Sequence, residues 1–451
     1  MKVTIQPATL RGTVQVPASK SVMQRACAAA LIRKGETILH HPGSAADDEA
    51  ALSVIASLGA IVQKQEKRLL ISSNGLHADR PLFVNCGESG LGVRMFTPLA
   101  ACLSFPVTLN GSGSLLTRPM HFFDEVLPAL GVMVCTTEGR LPIGVQGPMV
   151  PANICIDGTL SSQFLTGLLM AYSASGASNV SIEVKGLVSK PYIDLTLSVM
   201  HSFGLPCPEN RAYQNFYFPF LDKANWLNSS SAAGDLASVG SPSEDSVSKD
   251  PPLSYWIESD WSSASFLLVA GALAGPIHAK GLSLQSFQSD RAILQALDAA
   301  NVAYAIDAKG LVVHPSEIVP FVFDATDCPD LFPPLVALAA FAQGDSIIKG
   351  AHRLMHKESN RAQTLQQEFF KMGLEIQEKD DALLVRGRGE LRGATVSSCS
   401  DHRIAMALAV AALRAKGSTT ITGAEAIKKS YPTFFSDLSK LGASVSLPDF
   451  N

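Results

Sequence analysis

Charge is scarce in this chain. Only 17% of the 451 residues are Asp, Glu, Lys or Arg, against 47% apolar ones. A chain with so much to bury is not disordered as a whole. A basic excess is missing too: 36 Lys and Arg against 40 Asp and Glu give a formal charge of −4. The field that a nucleic-acid binder needs is therefore absent, and any positive site must be local. Cysteine is sparse, with eight residues (27, 86, 102, 135, 155, 207, 328 and 399) and no C-x-x-C pair. That excludes the usual thiol–zinc and redox motifs, and free, mostly buried thiols are expected. No apolar run reaches the roughly 18 residues of a membrane span. "MKVTIQPATL" also lacks the apolar stretch of a secretory signal, so a cytoplasmic protein without a membrane partner is expected.

What the chain has instead is repetition. Six segments share a polar or glycine-bearing turn running into an Ala/Leu-rich helix. They are "SKSVMQRACAAALI" (19–32), "ESGLGVRMFTPLAACL" (88–103), "SSQFLTGLLMAYSA" (161–174), "SSASFLLVAGALAG" (262–275), "CPDLFPPLVALAAFA" (328–342) and "SDHRIAMALAVAAL" (400–413). Each leads to a second helix that ends at Gly59, Gly131, Gly204, Asn301, Gly373 or Gly442, residues suited to a left-handed helix end. β-rich stretches such as "SIEVKG" and "DSIIKGA" fill the gaps. With Ser21, Ser89, Ser162, Ser263, Asp330 and His402 as anchors, the spacings are 68, 73, 101, 67 and 72 residues. The long gap holds "NSSSAAGDLASVGSPSEDSVSKDPP" (228–252), whose composition predicts a solvated, disordered-like loop. It falls at the midpoint, so the organisation is two halves of three mixed α/β units each, beyond what one ordinary core accommodates.

The turns that open these helices carry Lys20, Ser21, Arg25, Glu88, Ser89, Gly90, Arg94, Ser161, Ser162, Gln163, Asp330, Asp401, His402 and Arg403. Capping explains any one serine. It does not explain Lys, Arg, Gln and His recurring at equivalent turns. Helix N-termini offer free N–H groups and a positive dipole end, so the set is expected to converge as an anion trap. "SLLTRPM" (114–120) adds Arg118, "HKESNR" (356–361) adds Lys357, Glu358 and Arg361, and "KKSYPTFF" (428–435) adds Lys429.

These residues resemble, nearly end to end, the 5-enolpyruvylshikimate-3-phosphate synthase family of enolpyruvyl transferases. The likeness runs through "PASKSVMQR", "GESGLGVRMF", "RPM", "DGTLSSQFLTGLLMA", "LVSKPYIDLTL", "IESDWSSASFLL", "PDLFPPLVALA", "KESNR", "SDHRIAMALA" and "KKSYPTFF". It implies an α/β (α+β) fold, a two-domain inside-out α/β barrel. Each domain would hold three βαβαββ repeats around a pseudo-threefold axis. Boundaries are expected at residues 20–257 for one domain and 1–19 plus 258–451 for the other.

The implied reaction transfers the enolpyruvyl group of phosphoenolpyruvate to the 5-hydroxyl of shikimate 3-phosphate, releasing phosphate by addition and elimination. It would take place in a cleft that substrate closes like a clamp. No metal or redox cofactor is implied, and a monomer is expected. By resemblance, shikimate 3-phosphate would lie among Lys20, Ser21, Arg25, Ser161, Ser162, Gln163, Ser189, Asp330 and Lys357, with Tyr192 nearby. Phosphoenolpyruvate would meet Lys20, Gly90, Arg94, Arg118, Gln163, Arg361, Arg403 and Lys429. Asp330 would take the hydroxyl proton, Glu358 or Lys20 would serve the methylene carbon, and His402 would support the site. Three positions depart from the family pattern: Glu88 and Asn360 stand where an amide and an aspartate are usual, and Arg353 where an asparagine is common. A UDP-N-acetylglucosamine enolpyruvyl transferase is the nearest alternative, but "GSGSLLTRPM" lacks that enzyme's loop cysteine. A catalytically silent binding module is the other.

Overall fold

The computed structural model describes residues 1–220, 251–355 and 357–446. The chain divides into two compact units. The terminal unit comprises Met1–Met23, Gly43–Glu49 and Glu258–Asn451, and the central unit comprises Gln24–Pro42 and Ala50–Ile257.

Among the described residues each unit contains three four-stranded sheets, and these six sheets share one pairing pattern. In one of them Leu82–Asn85 runs parallel to Val107–Asn110, which pairs antiparallel with Arg140–Gln146, and Met133–Thr137 forms the far edge. A helix follows each of the first two strands, which is the βαβαββ unit that the family resemblance implies. Three sheets take a strand from a distant part of the chain. Leu253–Trp256 lies beside Gly35–His40, Gly12–Gln15 beside Ile277–Lys280, and Lys2–Ile5 beside Thr419–Thr422.

The helices lie inside and the sheets outside. Every residue of helices Gly90–Ala100, Trp261–Ala274, Phe332–Ala339 and His402–Ala412 is buried. Helices this rich in Ala, Leu and Gly have no polar face to present to water, so they must be covered all round. Strands such as Arg140–Gln146 alternate buried and more exposed residues, one face on the helices and one in water. The six helix-ending residues all have positive φ, from 60° at Asn301 to 114° at Gly59.

Two expectations change, on the start of the fourth repeated helix and on cysteine burial. Residues 20–23 and 43–49 group with the terminal unit, within which the Lys20 amide donates to Asp260 (3.1 Å) and the Lys20 ammonium to Asp47 (2.9 Å). The fourth repeated helix begins at Trp261, capped by Asp260 through the Ser263 N–H (2.7 Å), so its anchor serine lies inside the helix. All eight cysteines are free, but only Cys27, Cys86 and Cys328 are buried, while Cys135, Cys155 and Cys399 are exposed. The tract at 228–252 lies outside the described residues except for Pro251 and Pro252.

Candidate active site

In the terminal unit, three helix openings bring oppositely charged groups together. Asp330 sits on the turn Pro329–Leu331 that leads into Phe332–Ala339. Arg361 opens helix Arg361–Lys371, and Asp401 caps His402–Ala412 by accepting the Arg403 N–H (2.9 Å). Asn360 caps its helix through the Gln363 N–H (3.3 Å), a task asparagine and aspartate perform alike, so this departure keeps the local fold.

The Arg361 guanidinium is 1% exposed and tied to three carboxylates. Its Nε donates to Asp401 Oδ2 (2.7 Å), Nη1 to Asp330 Oδ1 (2.7 Å) and Nη2 to Glu358 Oε2 (2.5 Å). Asp330 Oδ2 accepts from Arg403 Nη2 (2.9 Å), and Lys357 Nζ lies 3.4 Å from Oδ1. Arg403 also donates to Ser262 Oγ, and Lys429 Nζ lies 3.5 Å from Glu358 Oε1.

The charge states follow from this packing. Burial alone would raise the Asp330 carboxyl, but Arg403, Lys357 and Arg361 outweigh it and hold it well below the usual carboxylate range. Burial depresses the Lys357 ammonium to about 8 against the pull of Asp330, with Arg361 and Arg353 adding to the drop. Burial works against the Lys20 ammonium as well, yet Asp47 and Glu358 carry its net shift upward despite Arg403. His402 is 1% exposed, neither ring nitrogen has a hydrogen-bond partner among the described residues, and burial with Arg403 and Lys20 nearby holds it well below its ordinary value. It is a neutral imidazole, so it does not add to the positive charge of the cluster.

The central unit holds a second cluster. Arg25, 1% exposed, donates through Nε to Thr196 Oγ1 (2.9 Å) and through Nη2 to Thr166 Oγ1 (3.4 Å) and the Tyr192 carbonyl (3.3 Å). Its guanidinium lies 5.7 Å from the Tyr192 ring centroid, and burial lowers it to about 10. Ser189, in the left-handed region at φ 55°, precedes the helix Lys190–Ser202 that carries Tyr192 and Thr196.

Helix Ser162–Ala174 approaches Gly90–Ala100 closely at Gly167, where an added Cβ would fall 2.5 Å from the Arg94 carbonyl. That approach lets Arg94 Nη1 donate to Gln163 Oε1 (2.9 Å). Arg118, following the turn Gly113–Thr117, lies over Gly90: a Cβ there would be 2.6 Å from Arg118 Nη1 and 3.5 Å from Arg94 Nη1. Ser89 and Ser161 do act as caps, accepting from Gly92 N–H (2.9 Å) and Gln163 N–H (3.2 Å). The Glu88 carboxylate packs against the Cα of Gly113.

Of the residues expected at the site, Lys20, Ser21, Asp330, Lys357, Glu358, Arg361, His402, Arg403 and Lys429 fall in the terminal unit. Arg25, Gly90, Arg94, Arg118, Ser161, Ser162, Gln163, Ser189 and Tyr192 fall in the central unit. The sequence reading missed Asp47, Thr166 and Thr196 as partners of Lys20 and Arg25. Acidic residues at the start of "ADDEAALSVIAS" look like ordinary complements of the helix dipole, and mid-helix threonines carry no signal at all.

Solved structures share this fold. EPSP synthase from Acinetobacter baumannii superposes with a TM-score of 0.77 at 23% identity, covering 99% of this chain and 100% of that one. The enolpyruvyl transferase NikO from Streptomyces tendae does so at 0.73 and 17% identity, covering 99% and 98%. The architecture is therefore that of the enolpyruvyl transferases. The model of the family described as EPSP synthase (3-phosphoshikimate 1-carboxyvinyltransferase) matches residues 5–218 and 242–438. Proteins named 3-phosphoshikimate 1-carboxyvinyltransferase are 35% identical in Clostridium kluyveri (98% of each chain) and 33% identical in Methanocorpusculum labreanum (99% of each). The chain belongs to the EPSP synthase family, whose reaction transfers the enolpyruvyl group of phosphoenolpyruvate to shikimate 3-phosphate in aromatic biosynthesis. No helix of the described residues is long and apolar enough to cross a membrane.

Proposed function

We propose that the two compact units are the two enolpyruvyl transferase domains and that both sets of residues act on one pair of substrates. Phosphoenolpyruvate and shikimate 3-phosphate each carry a phosphate and a carboxylate. At 4 Å two such unit charges repel by about 4 kcal/mol at an effective dielectric of 20, so fixed cations are needed to bring them together. In this reading Arg25, Ser161, Ser162, Gln163 and Ser189 hold shikimate 3-phosphate, with Ser21 and Lys357. Gly90, Arg94, Arg118, Arg361, Arg403, Lys429 and Lys20 receive phosphoenolpyruvate. Guanidinium forks suit both of its anionic groups, whereas each lysine acts as a point charge.

The observation that carries the chemistry is Asp330 within reach of Arg361, Arg403 and Lys357. Asp330 is ionised and can accept a proton, but its cations make it a weak base. Bound anions neutralise Arg403 and Lys357, which raises its basicity when the 5-hydroxyl is in place. The hydroxyl oxygen bonds to C2 of phosphoenolpyruvate, its proton goes to Asp330, and Glu358 or Lys20 delivers a proton to the methylene carbon. In the second half that carbon returns a proton and the C–O bond to phosphate breaks, the cations stabilising the charge that develops. His402, neutral and buried, supports the ring of charges. The reading extends to a cytoplasmic monomer that needs only its two small-molecule substrates.

Phosphate release on mixing the protein with shikimate 3-phosphate and phosphoenolpyruvate tests the proposal. Release with UDP-N-acetylglucosamine in place of shikimate 3-phosphate would favour the alternative transferase. No release with either acceptor would leave a silent binding module.

A further inference from the structure

Lys20 is held from both ends by carboxylates that no substrate is expected to touch. Its backbone N–H donates to Asp260 Oδ2 (3.1 Å), and its ammonium donates to Asp47 Oδ2 (2.9 Å). Asp48 follows directly and is tied to a different group: its Oδ2 accepts the Ala45 N–H (3.0 Å). Asp47 and Asp48 are 3% and 1% exposed, and the Oδ1 atom of each has no hydrogen-bond partner among the described residues. Gly43 closes over Asp48 so tightly that a Cβ there would lie 2.1 Å from Oδ2.

From this geometry we infer that Asp47 and Asp48 form a dyad holding one proton, which positions Lys20: Asp47 is the carboxylate that fixes the ammonium, and Asp48 keeps the proton. The inference rests on the proposed role of Lys20. Asp47 and Asp48 are successive buried carboxylates, and of the two only Asp47 is bonded to the ammonium; buried carboxylates do not both ionise without a cation each. Asp47 has the ammonium and Asp260 caps two helix starts, so Asp48 is the one left without a counter-charge. Its surroundings agree. Burial pushes Asp48 up to about 7, opposed by the Ala45 N–H and Lys20 and aided by Asp47 and Asp260. The remaining charges that reach Lys20 are Arg403 and Glu358.

A purely structural alternative exists for each residue. The Asp48–Ala45 bond closes a helix start in the manner of a capping box, and Asp47 complements a helix dipole. The dyad makes two demands that these roles do not. Removing the Asp47 charge must lower the proton affinity of the Lys20 ammonium. Removing the Asp48 proton site must change how stability depends on pH. A carboxyl raised to about 7 from an unfolded value near 4 binds more protons folded than unfolded, so the protein loses stability as pH rises through that window.

Full-length Asp47→Asn and Asp48→Asn proteins test this. Asp47→Asn is expected to lower kcat/KM for phosphoenolpyruvate about 100-fold and to move the alkaline limb of its pH profile to lower pH. Asp48→Asn is expected to gain in Tm relative to the parent as pH is raised from about 5 to about 8. A parallel Tm difference across that range, or an unmoved alkaline limb in Asp47→Asn, overturns the dyad. The Tm series needs no turnover and can be read even if Asp47→Asn folds poorly. If the parent releases no phosphate from its proposed substrates, the functional reading fails, and the Tm series still decides the one-proton state.

Discussion

Asp330→Asn separates the chemistry of the terminal cluster from its packing. Asparagine matches the carboxylate in size but carries no charge and is far less basic, so the shape of the turn survives while Arg361, Arg403 and Lys357 lose their shared partner. Breaking a buried ion pair by removing one partner costs about 3–5 kcal/mol. Asp330 is 22% exposed, so solvent screening reduces that to about 2–3 kcal/mol. At roughly 2–4 °C per kcal/mol for a unit of this size, Tm falls by roughly 5–10 °C. The Asp330 carboxyl is depressed in the folded state, so its stabilising effect is present above its unfolded value of about 4 and is lost as pH falls through the folded value. The Tm deficit is therefore flat from about pH 5 to 8 and shrinks only in acid. Loss of a general base lowers turnover by about 10²–10⁴. Affinity for the anionic substrates is retained or increased, because a negative charge has left the cluster. Steady-state phosphate release and thermal melts over pH measure all three. Turnover within about tenfold of the parent would remove Asp330 from the proton transfer, whatever the melts show.

Two further predictions concern the flanking cations. Because the Lys357 ammonium is depressed to about 8, an anion that binds it between pH 8 and 10.5 takes up a proton. The affinity for shikimate 3-phosphate should therefore fall above pH 8 in calorimetric titrations, and in Lys357→Met it should be about 10–100-fold weaker with that step gone. Gly90→Ala places a methyl where Arg118 Nη1 now lies, 2.6 Å from the new carbon. The flexible guanidinium gives way, so Tm should stay within about 2 °C while KM for phosphoenolpyruvate rises. An unchanged KM would show that Arg118 does not need its present position.

Much of this arrangement was legible before any coordinate. The glycines at 59, 131, 204, 373 and 442 marked helix ends because positive φ is a local steric matter that one residue type satisfies best. Segments such as "SSASFLLVAGALAG" (262–275) read as Ala/Leu-rich helices, and the structure buries every residue of Trp261–Ala274 because that helix has no polar face to turn outward. The serines at 89 and 161 were ambiguous between cap and ligand, and both do cap. Glu88 and Asn360 looked like departures at the site; the Asn360 side chain caps the helix that Arg361 opens, and the Glu88 carboxylate rests on Gly113.

By itself, then, the sequence determined the sixfold repeat of mixed α/β units, the residues that end their helices and the family, because these depend on local sterics, periodicity and ordered motifs. Tertiary structure alone decided that Lys20 would be paired with Asp47, that Arg361 would be spanned by Asp330, Glu358 and Asp401, and that residues 43–49 would join the terminal unit. Charge state and ion pairing vary with distance and burial, and those distances are set between residues up to hundreds of positions apart in the chain.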